Sequence, residues 1–336
     1  MKVTVVGSGA WGTTLSGVAV DAGSEVTLVA RNPAVLTSLR DERRHPVSVA
    51  GYRLPDAVAV VSSVAEGLAE APDMVLVVVP SSAVDAAAGE IEAAGYRGLV
   101  VTATKGIDPG SLKTPAARVA SVRGTGSPVA ALSGPNLAGE VATGLPAAAV
   151  IASESEETAG FARTALMSSR FRIYTSRDVI GVEIAGAFKN VIAIGAGISD
   201  GLDAGQNAKA AYVTRGIAEM ARLGLACGAD VMTFAGLAGI GDLMATCNSE
   251  RSRNHTVGRG IAKGRSLESV LANMREVAEG VQTTRAVLDL AQVKGVELPI
   301  AAQIARILFE GVSPQTAIAD LMARDATSEM ALLEGF

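Results

Sequence analysis

The chain has 336 residues, 49% of them apolar and 19% charged, with a net charge of −5. That length favours two domains over one, and the apolar content excludes a disordered chain. The acidic balance, without a basic stripe interleaved with aromatics, argues against a general nucleic-acid binder, and neither a signal peptide nor an uninterrupted apolar run of about 18 residues is present.

In chain order, the first element is a β-branched strand, Val3–Val6, running into Gly7-x-Gly9-x-x-Gly12 with a helical pattern from Thr13. Gly7 permits the tight turn, Gly9 lets the backbone approach a pyrophosphate, and Gly12 lets the helix pack on the strand. The helix N-terminus then holds the phosphates. The second strand, Val26–Val29, is followed by Ala30, Arg31 and Asn32, where an NAD-specific site usually carries an acidic residue for the ribose 2′-OH. A guanidinium there suits a 2′-phosphate, which favours NADP or tolerance of both cofactors; the alternative is a surface arginine after a strand.

Further strands are expected at Met74–Val79, Leu99–Thr104, Val129–Ser133, Ala148–Ala152 and Arg170–Tyr174, most of them separated by helices such as Asn32–Glu42 and Ala83–Ala94. The alternation reads as a doubly wound, largely parallel Rossmann-type sheet over residues 1–178. Ligands bind beyond the carboxyl ends of such strands, so the loops at Pro80–Ser82, Thr104–Gly106 and Ser133–Asn136 should line one crevice with the glycine turn. Lys105 in the second loop either contacts substrate and cofactor or is a solvated loop lysine.

From about Val179 the strand-like runs stop and 3.6-residue periodicity takes over, which marks residues 179–336 as an all-helical domain, the substrate and catalytic domain if Lys189 and Asp242 act as described below. Its expected helices begin with Val182–Ser199 and end with Ser313–Leu321 and Glu329–Leu333. Of 29 basic residues only 7 are lysines, and one of them, Lys189, stands in the apolar helix Glu183-Ile-Ala-Gly-Ala-Phe-Lys189-Asn190. A desolvated lysine can donate a proton near neutral pH, whereas one that snorkels to water has no such role. Asp242, in Gly239-Ile-Gly241-Asp242-Leu243, could pair with Lys189 or simply cap a helix. Ser252-Arg253-Asn254 opens a helix and combines a guanidinium with hydrogen-bonding groups, either as an anion site or as a capped, charged helix start. Glu279, in a glycine-containing link, could reach the cofactor. Cys227 and Cys247 have neither metal nor redox spacing and fit a reduced, cytoplasmic compartment; with histidine only at positions 45 and 255, a histidine metal site is not expected.

Gly7–Thr13, Ala103–Gly106, Ser133–Pro135, Lys189–Gly195, Thr214–Glu219, Gly236–Leu243, Ser252–Asn254 and Val277–Gly280 occur in this order. Together they closely resemble the bacterial NAD(P)-dependent sn-glycerol-3-phosphate dehydrogenases, from the first strand to about residue 325. The resemblance implies reversible hydride transfer between a nicotinamide and C2 of dihydroxyacetone phosphate, supplying phospholipid synthesis, in a homodimer. It implies a general acid/base at Lys189, supported by Asp242 and Lys105, and substrate contacts from Lys105, Gly134, Asn136, Lys189, Asp242, Ser252, Arg253 and Asn254. The cofactor would be touched by Gly7, Gly9, Ala10, Trp11, Gly12, Arg31, Lys105, Ala138, Arg253, Val277 and Glu279. Departures at Ser48–Gly51, Asn136 and Gly139 leave open a paralogue acting on a related phosphorylated or phosphonate ketone. A non-catalytic dinucleotide sensor should have lost Lys189, and a β-hydroxyacid dehydrogenase should lack the Gly-x-Gly-Asp-Leu and Ser-Arg-Asn pair.

Overall fold

The structure, a computed structural model, describes residues 1–124, 126–250, 252–274 and 277–325; the helix expected over Glu329–Leu333 lies outside them. Two compact units result. The first contains Met1–Lys105 and Thr114–Val179, the second Gly106–Lys113 and the described residues from Ile180 onward. The grouping of 106–113 with the second unit has no counterpart in the sequence pattern.

The first unit is built on an eight-stranded sheet of order β3-β2-β1-β4-β5-β6-β7-β8. Its strands are β1 (Lys2–Val6), β2 (Glu25–Val29), β3 (Val58–Val61), β4 (Met74–Val77), β5 (Leu99–Thr102), β6 (Val129–Ser133), β7 (Ala147–Ala152) and β8 (Phe171–Ser176). Strands β1 to β6 pair parallel, β7 runs antiparallel to β6, and β8 is parallel to β7. The short, continuous apolar runs suit this arrangement because a parallel sheet is covered on both faces.

The period of two sends Val3, Val5 and Leu28 to a core shared with α1 (Ala10–Asp21), α2 (Pro33–Asp41) and α7 (Glu156–Leu166). Val6, Val75 and Val77 face the opposite way, toward α3 (Val64–Leu68), α4 (Val84–Ala93) and α5 (Pro115–Arg123). The remaining helix of this unit, α6 (Ala138–Ala142), packs on α1. The strand order reverses between β2-β1 and β4-β5, so the glycine turn after β1 sits at the topological switch point.

The second unit is helical: α8 (Val179–Gly201), α9 (Gln206–Ala226), α10 (Val231–Phe234), α11 (Asp242–Cys247), α12 (Arg253–Ala262), α13 (Leu267–Ala272), α14 (Glu279–Lys294), α15 (Pro299–Phe309) and α16 (Pro314–Met322). Helix α8 is long and apolar enough to cross a membrane, but 89% of that window is buried inside the protein, as expected of a core helix. Its small residues allow close approach. A Cβ at Gly258 of α12 would meet the Ile194 carbonyl oxygen at 1.8 Å, and one at Gly197 would meet that of His255 at 2.0 Å. The two helices therefore touch backbone to backbone.

Glu219 of α9 is buried and accepts the backbone N–H groups of Ile300 and Ala301 at 2.6 and 3.1 Å, capping α15. Burial outweighs those bonds and pushes the carboxyl up to about 7. The folded protein then holds this proton more tightly than the unfolded chain. The resulting stabilisation is fully present below the ordinary glutamate value and is lost as the pH rises through about 7. The loss amounts to about 3 kcal/mol. Urea unfolding midpoints should therefore fall between pH 5 and 7.5, and Glu219→Gln should flatten that slope; an unchanged slope would assign it to other groups.

Candidate active site

In the first unit, the expected nucleotide-binding glycines form the turn from β1 to α1. Gly7 has φ +117°, and a Cβ there would meet the Val78 carbonyl oxygen at 2.3 Å; a Cβ on Gly12 would meet the Gly7 oxygen at 1.8 Å. Both positions require glycine for the backbone itself. Gly9 does not: it has an ordinary φ of −71°, and its Cβ would find nothing within 4 Å. The helix starts at Ala10 rather than Thr13, with no side-chain cap and no acidic residue in its first turn. Uncapped N–H groups beside open space fit a dinucleotide pyrophosphate. Trp11, in that first turn, packs at 6.2 Å centroid distance against Phe171.

At the end of β2, Ala30 is buried and donates its N–H to the Val61 carbonyl at 2.9 Å. Asn32 caps α2, accepting from Ala34 N and Val35 N at 3.0 and 3.2 Å. Arg31 is thus the charged side chain of this turn, and its Nη1 lies 3.0 Å from Glu90 Oε1.

Lys105 and Gly134 are brought together, the lysine Nζ donating to the Gly134 carbonyl at 3.1 Å. Gly134 has φ +138°, a conformation that favours glycine, and a Cβ there would crowd Ala149 Cα at 3.0 Å. With its amide turned so that nitrogen rather than oxygen faces them, Asn136 donates to the Pro135 and Ala148 carbonyls at 3.3 and 3.2 Å. Ala138 opens α6, and its carbonyl receives the Thr14 hydroxyl at 3.4 Å.

A second group of the expected site residues lies within the helical unit. Lys189 of α8 is buried, and its Nζ donates to Asp242 Oδ1 at 2.9 Å and Thr246 Oγ1 at 2.7 Å. Of the two readings of Asp242, the structure realises the ion pair: the N-cap of α11 is Gly241, and Asp242 itself is the first helical residue. A π turn, Leu237–Gly241, places it there. Gly241 N bonds back to the Gly236 carbonyl at 3.1 Å, and Gly239 tolerates no side chain, since a Cβ would lie 2.1 Å from the Phe234 oxygen. Such π turns recur where a helix must aim a functional side chain.

Thr246 was not singled out from sequence. It lies one helical turn beyond Asp242 and donates to the Asp242 carbonyl at 2.7 Å while accepting from Lys189. Its signal was only the i,i+4 spacing. Cys247 is held inert by burial, which pushes its thiol up to about 12.

Ser252 N-caps α12 by accepting from His255 N at 3.3 Å, and Arg253 Nη1 donates to the Val277 carbonyl at 2.8 Å. Asn254 is buried; its Nδ2 donates to Asn190 Oδ1 and its Oδ1 accepts Gly280 N, both at 2.9 Å. Asn254 thereby ties α8, α12 and the start of α14 together, and Glu279 opens α14 beside it. Behind them His255 Nε2 and Lys209 Nζ share Asp200 Oδ2, each at 2.7 Å. Among the described residues no group of histidine, cysteine or carboxylate side chains could hold a metal ion.

The sequence profiles for the N- and C-terminal parts of NAD-dependent glycerol-3-phosphate dehydrogenase match residues 2–159 and 178–319. The chain belongs to this family. Glycerol-3-phosphate dehydrogenase [NAD(P)+] of Parafrankia sp. is 44% identical over 333 residues, covering 98% of this chain and 99% of that protein. The Chlorobium limicola enzyme of the same name is 45% identical over 337 residues, covering 98% and 100%. The crystal structure of glycerol-3-phosphate dehydrogenase from Coxiella burnetii superposes with a TM-score of 0.91 at 34% identity, covering 96% of this chain and 99% of that one. Membership in the glycerol-3-phosphate dehydrogenase family accounts for the sequence order of the motifs, and the buried Lys189–Asp242 pair shows two of those motifs meeting in space.

Proposed function

We propose that this chain catalyses reversible hydride transfer between a nicotinamide dinucleotide and C2 of dihydroxyacetone phosphate, giving sn-glycerol 3-phosphate for phospholipid synthesis. The observation that carries the reading is the buried Lys189 ammonium, held by Asp242 and Thr246, in a chain that aligns end to end with its relatives. NAD(P)H, when bound, supplies the hydride.

Lys189 Nζ donates the proton that neutralises the alkoxide developing on the C2 oxygen, and takes it back in the reverse direction. The bonds to Asp242 and Thr246 hold the ammonium in place within the helical unit. Asp242 balances the charge of the buried ammonium; without that partner its burial would cost several kcal/mol. Arg253, oriented by the Val277 carbonyl at the start of α12, and Lys105, oriented by the Gly134 carbonyl, supply the cations that a triose phosphate requires. Ser252, Gly134, Asn136 and Asn254 complete the substrate contacts. Ala10, Trp11, Ala138, Val277 and Glu279 complete those to the dinucleotide, and Arg31 favours NADPH. The enzyme acts as a cytoplasmic homodimer, a setting compatible with its two unpaired cysteines.

Oxidation of NADPH and of NADH by dihydroxyacetone phosphate, followed at 340 nm with purified protein, tests the reading. Rapid turnover with either cofactor is expected. Nucleotide binding without turnover, followed by activity on a phosphonate or other phosphorylated ketone, would replace this substrate with that of a paralogue.

A further inference from the structure

We propose that Glu90 sets the balance between NADPH and NADH by competing with the 2′-phosphate for Arg31. This rests on the reading of Arg31 as the 2′-phosphate contact. In doubly wound folds the carboxylate that meets the adenosine ribose normally stands at the end of β2. Here that turn is Ala30-Arg31-Asn32, with no acid of its own. The carboxylate beside it comes instead from α4, 59 residues further along the chain, with Glu90 Oε1 3.0 Å from Arg31 Nη1.

The backbone positions of both partners are fixed. Asn32 anchors the turn as the cap of α2, and α4 is anchored by Val84, Ala87, Ala88 and Ile91, all fully buried. Their charged ends are not: the two side chains are 44% and 42% exposed. Such a pair contributes little to folding and can open for a ligand. Its effect on a ligand is larger. A 2′-phosphate approaching Arg31 meets a pair of zero net charge instead of a lone cation, and it must either displace the carboxylate or bind with a like charge alongside. A ribose 2′-OH meets no such penalty, since a hydroxyl can donate to Glu90. The carboxylate therefore weakens NADPH binding and leaves NADH nearly untouched, so that the arginine does not commit the enzyme to one cofactor.

Trp11 is the chain's single tryptophan and stands in the glycine turn, so its fluorescence reports nucleotide binding without turnover. Dissociation constants for NADPH and NADH should be measured on the full-length protein and on Glu90→Gln and Arg31→Gln. Glu90→Gln removes the charge and keeps the shape. It should tighten NADPH by roughly threefold to tenfold at low salt, with NADH changed less than about twofold, and the gain should shrink as salt is raised. Arg31→Gln should weaken NADPH and leave NADH in place. If Arg31→Gln weakens NADPH but Glu90→Gln leaves the NADPH-to-NADH ratio unchanged, Glu90 is a bystander and the inference fails while Arg31 keeps its role. If Arg31→Gln alters neither cofactor, the reading of Arg31 fails and the role of Glu90 falls with it.

Discussion

Lys189→Met should lower kcat by roughly 10²–10⁴-fold, the range that a positioned general acid contributes. NADPH affinity should stay within about a factor of two, because the loss concerns the transition state and not ground-state binding. The substitution has a second consequence that must be separated from the first. Asp242 is only 2% exposed, and removing the ammonium leaves its carboxylate buried without the partner at 2.9 Å. Breaking a buried pair from one side costs about 3–5 kcal/mol, so the single variant should also be destabilised. The double variant Lys189→Met/Asp242→Asn removes both charges and should recover most of that stability while remaining inactive. Lys189→Arg gives a third comparison: it keeps a positive charge near Asp242 but cannot release a proton, and it should not restore turnover. Turnover near the wild-type level in the well-folded double variant would take Lys189 out of the mechanism.

These residues were unequally legible in the sequence. The glycine turn could be read because the flanking strand and helix announce themselves by periodicity and the clash that fixes Gly12 is with the nearby Gly7 oxygen, although the one that fixes Gly7 is with Val78, beyond β4. Lys189 stands out because the helix around it, residues 184–188 and 191–197, is apolar or small. Its partner could not be assigned from spacing, since an aspartate after glycine serves equally as a cap. The choice is made by a π turn whose need for glycine at position 239 comes from the Phe234 carbonyl.

The edge strand β3 is absent from the sequence expectations, although at four residues it is no shorter than β4 and β5. The reversal of β7 is equally silent, because alternation reports which side chains face the core and not the direction of the neighbouring strand. Asn254, a substrate contact by family resemblance, also has a structural task. Its amide bonds to Asn190 and Gly280 show a helix-linking task that arises only when three elements separated by 26 and 64 residues meet. Glu90 carries no local signal at all, since its significance lies wholly in its distance from Arg31.

Gly9→Ala and Gly12→Ala should both weaken cofactor binding but differ in stability, although the two glycines lie in one turn. At Gly12 the added carbon would sit 1.8 Å from a backbone oxygen, which cannot swing aside as a side chain would. Overpacking of this kind costs about 1–3 kcal/mol, so Gly12→Ala should lower the melting temperature and impair both cofactors through the distorted turn. Gly9 has φ −71° and ψ −175°, which alanine adopts readily, and no atom lies within 4 Å of the new carbon. The protein should fold as before, with stability unchanged or raised by about 0.4–1 kcal/mol through the unfolded state. Only a ligand crossing the helix N-terminus would meet that methyl group. Hydrogen bonds to a charged group contribute about 1.5–3 kcal/mol each, so displacing one pyrophosphate contact should weaken NADH and NADPH alike by roughly 10- to 100-fold. The equality of the two losses is the informative part, since the pyrophosphate is common to both cofactors and the 2′-phosphate is not. A stable Gly9→Ala protein with undiminished affinity would mean that the dinucleotide does not cross the start of α1, and that the open space beside Gly9 serves another purpose.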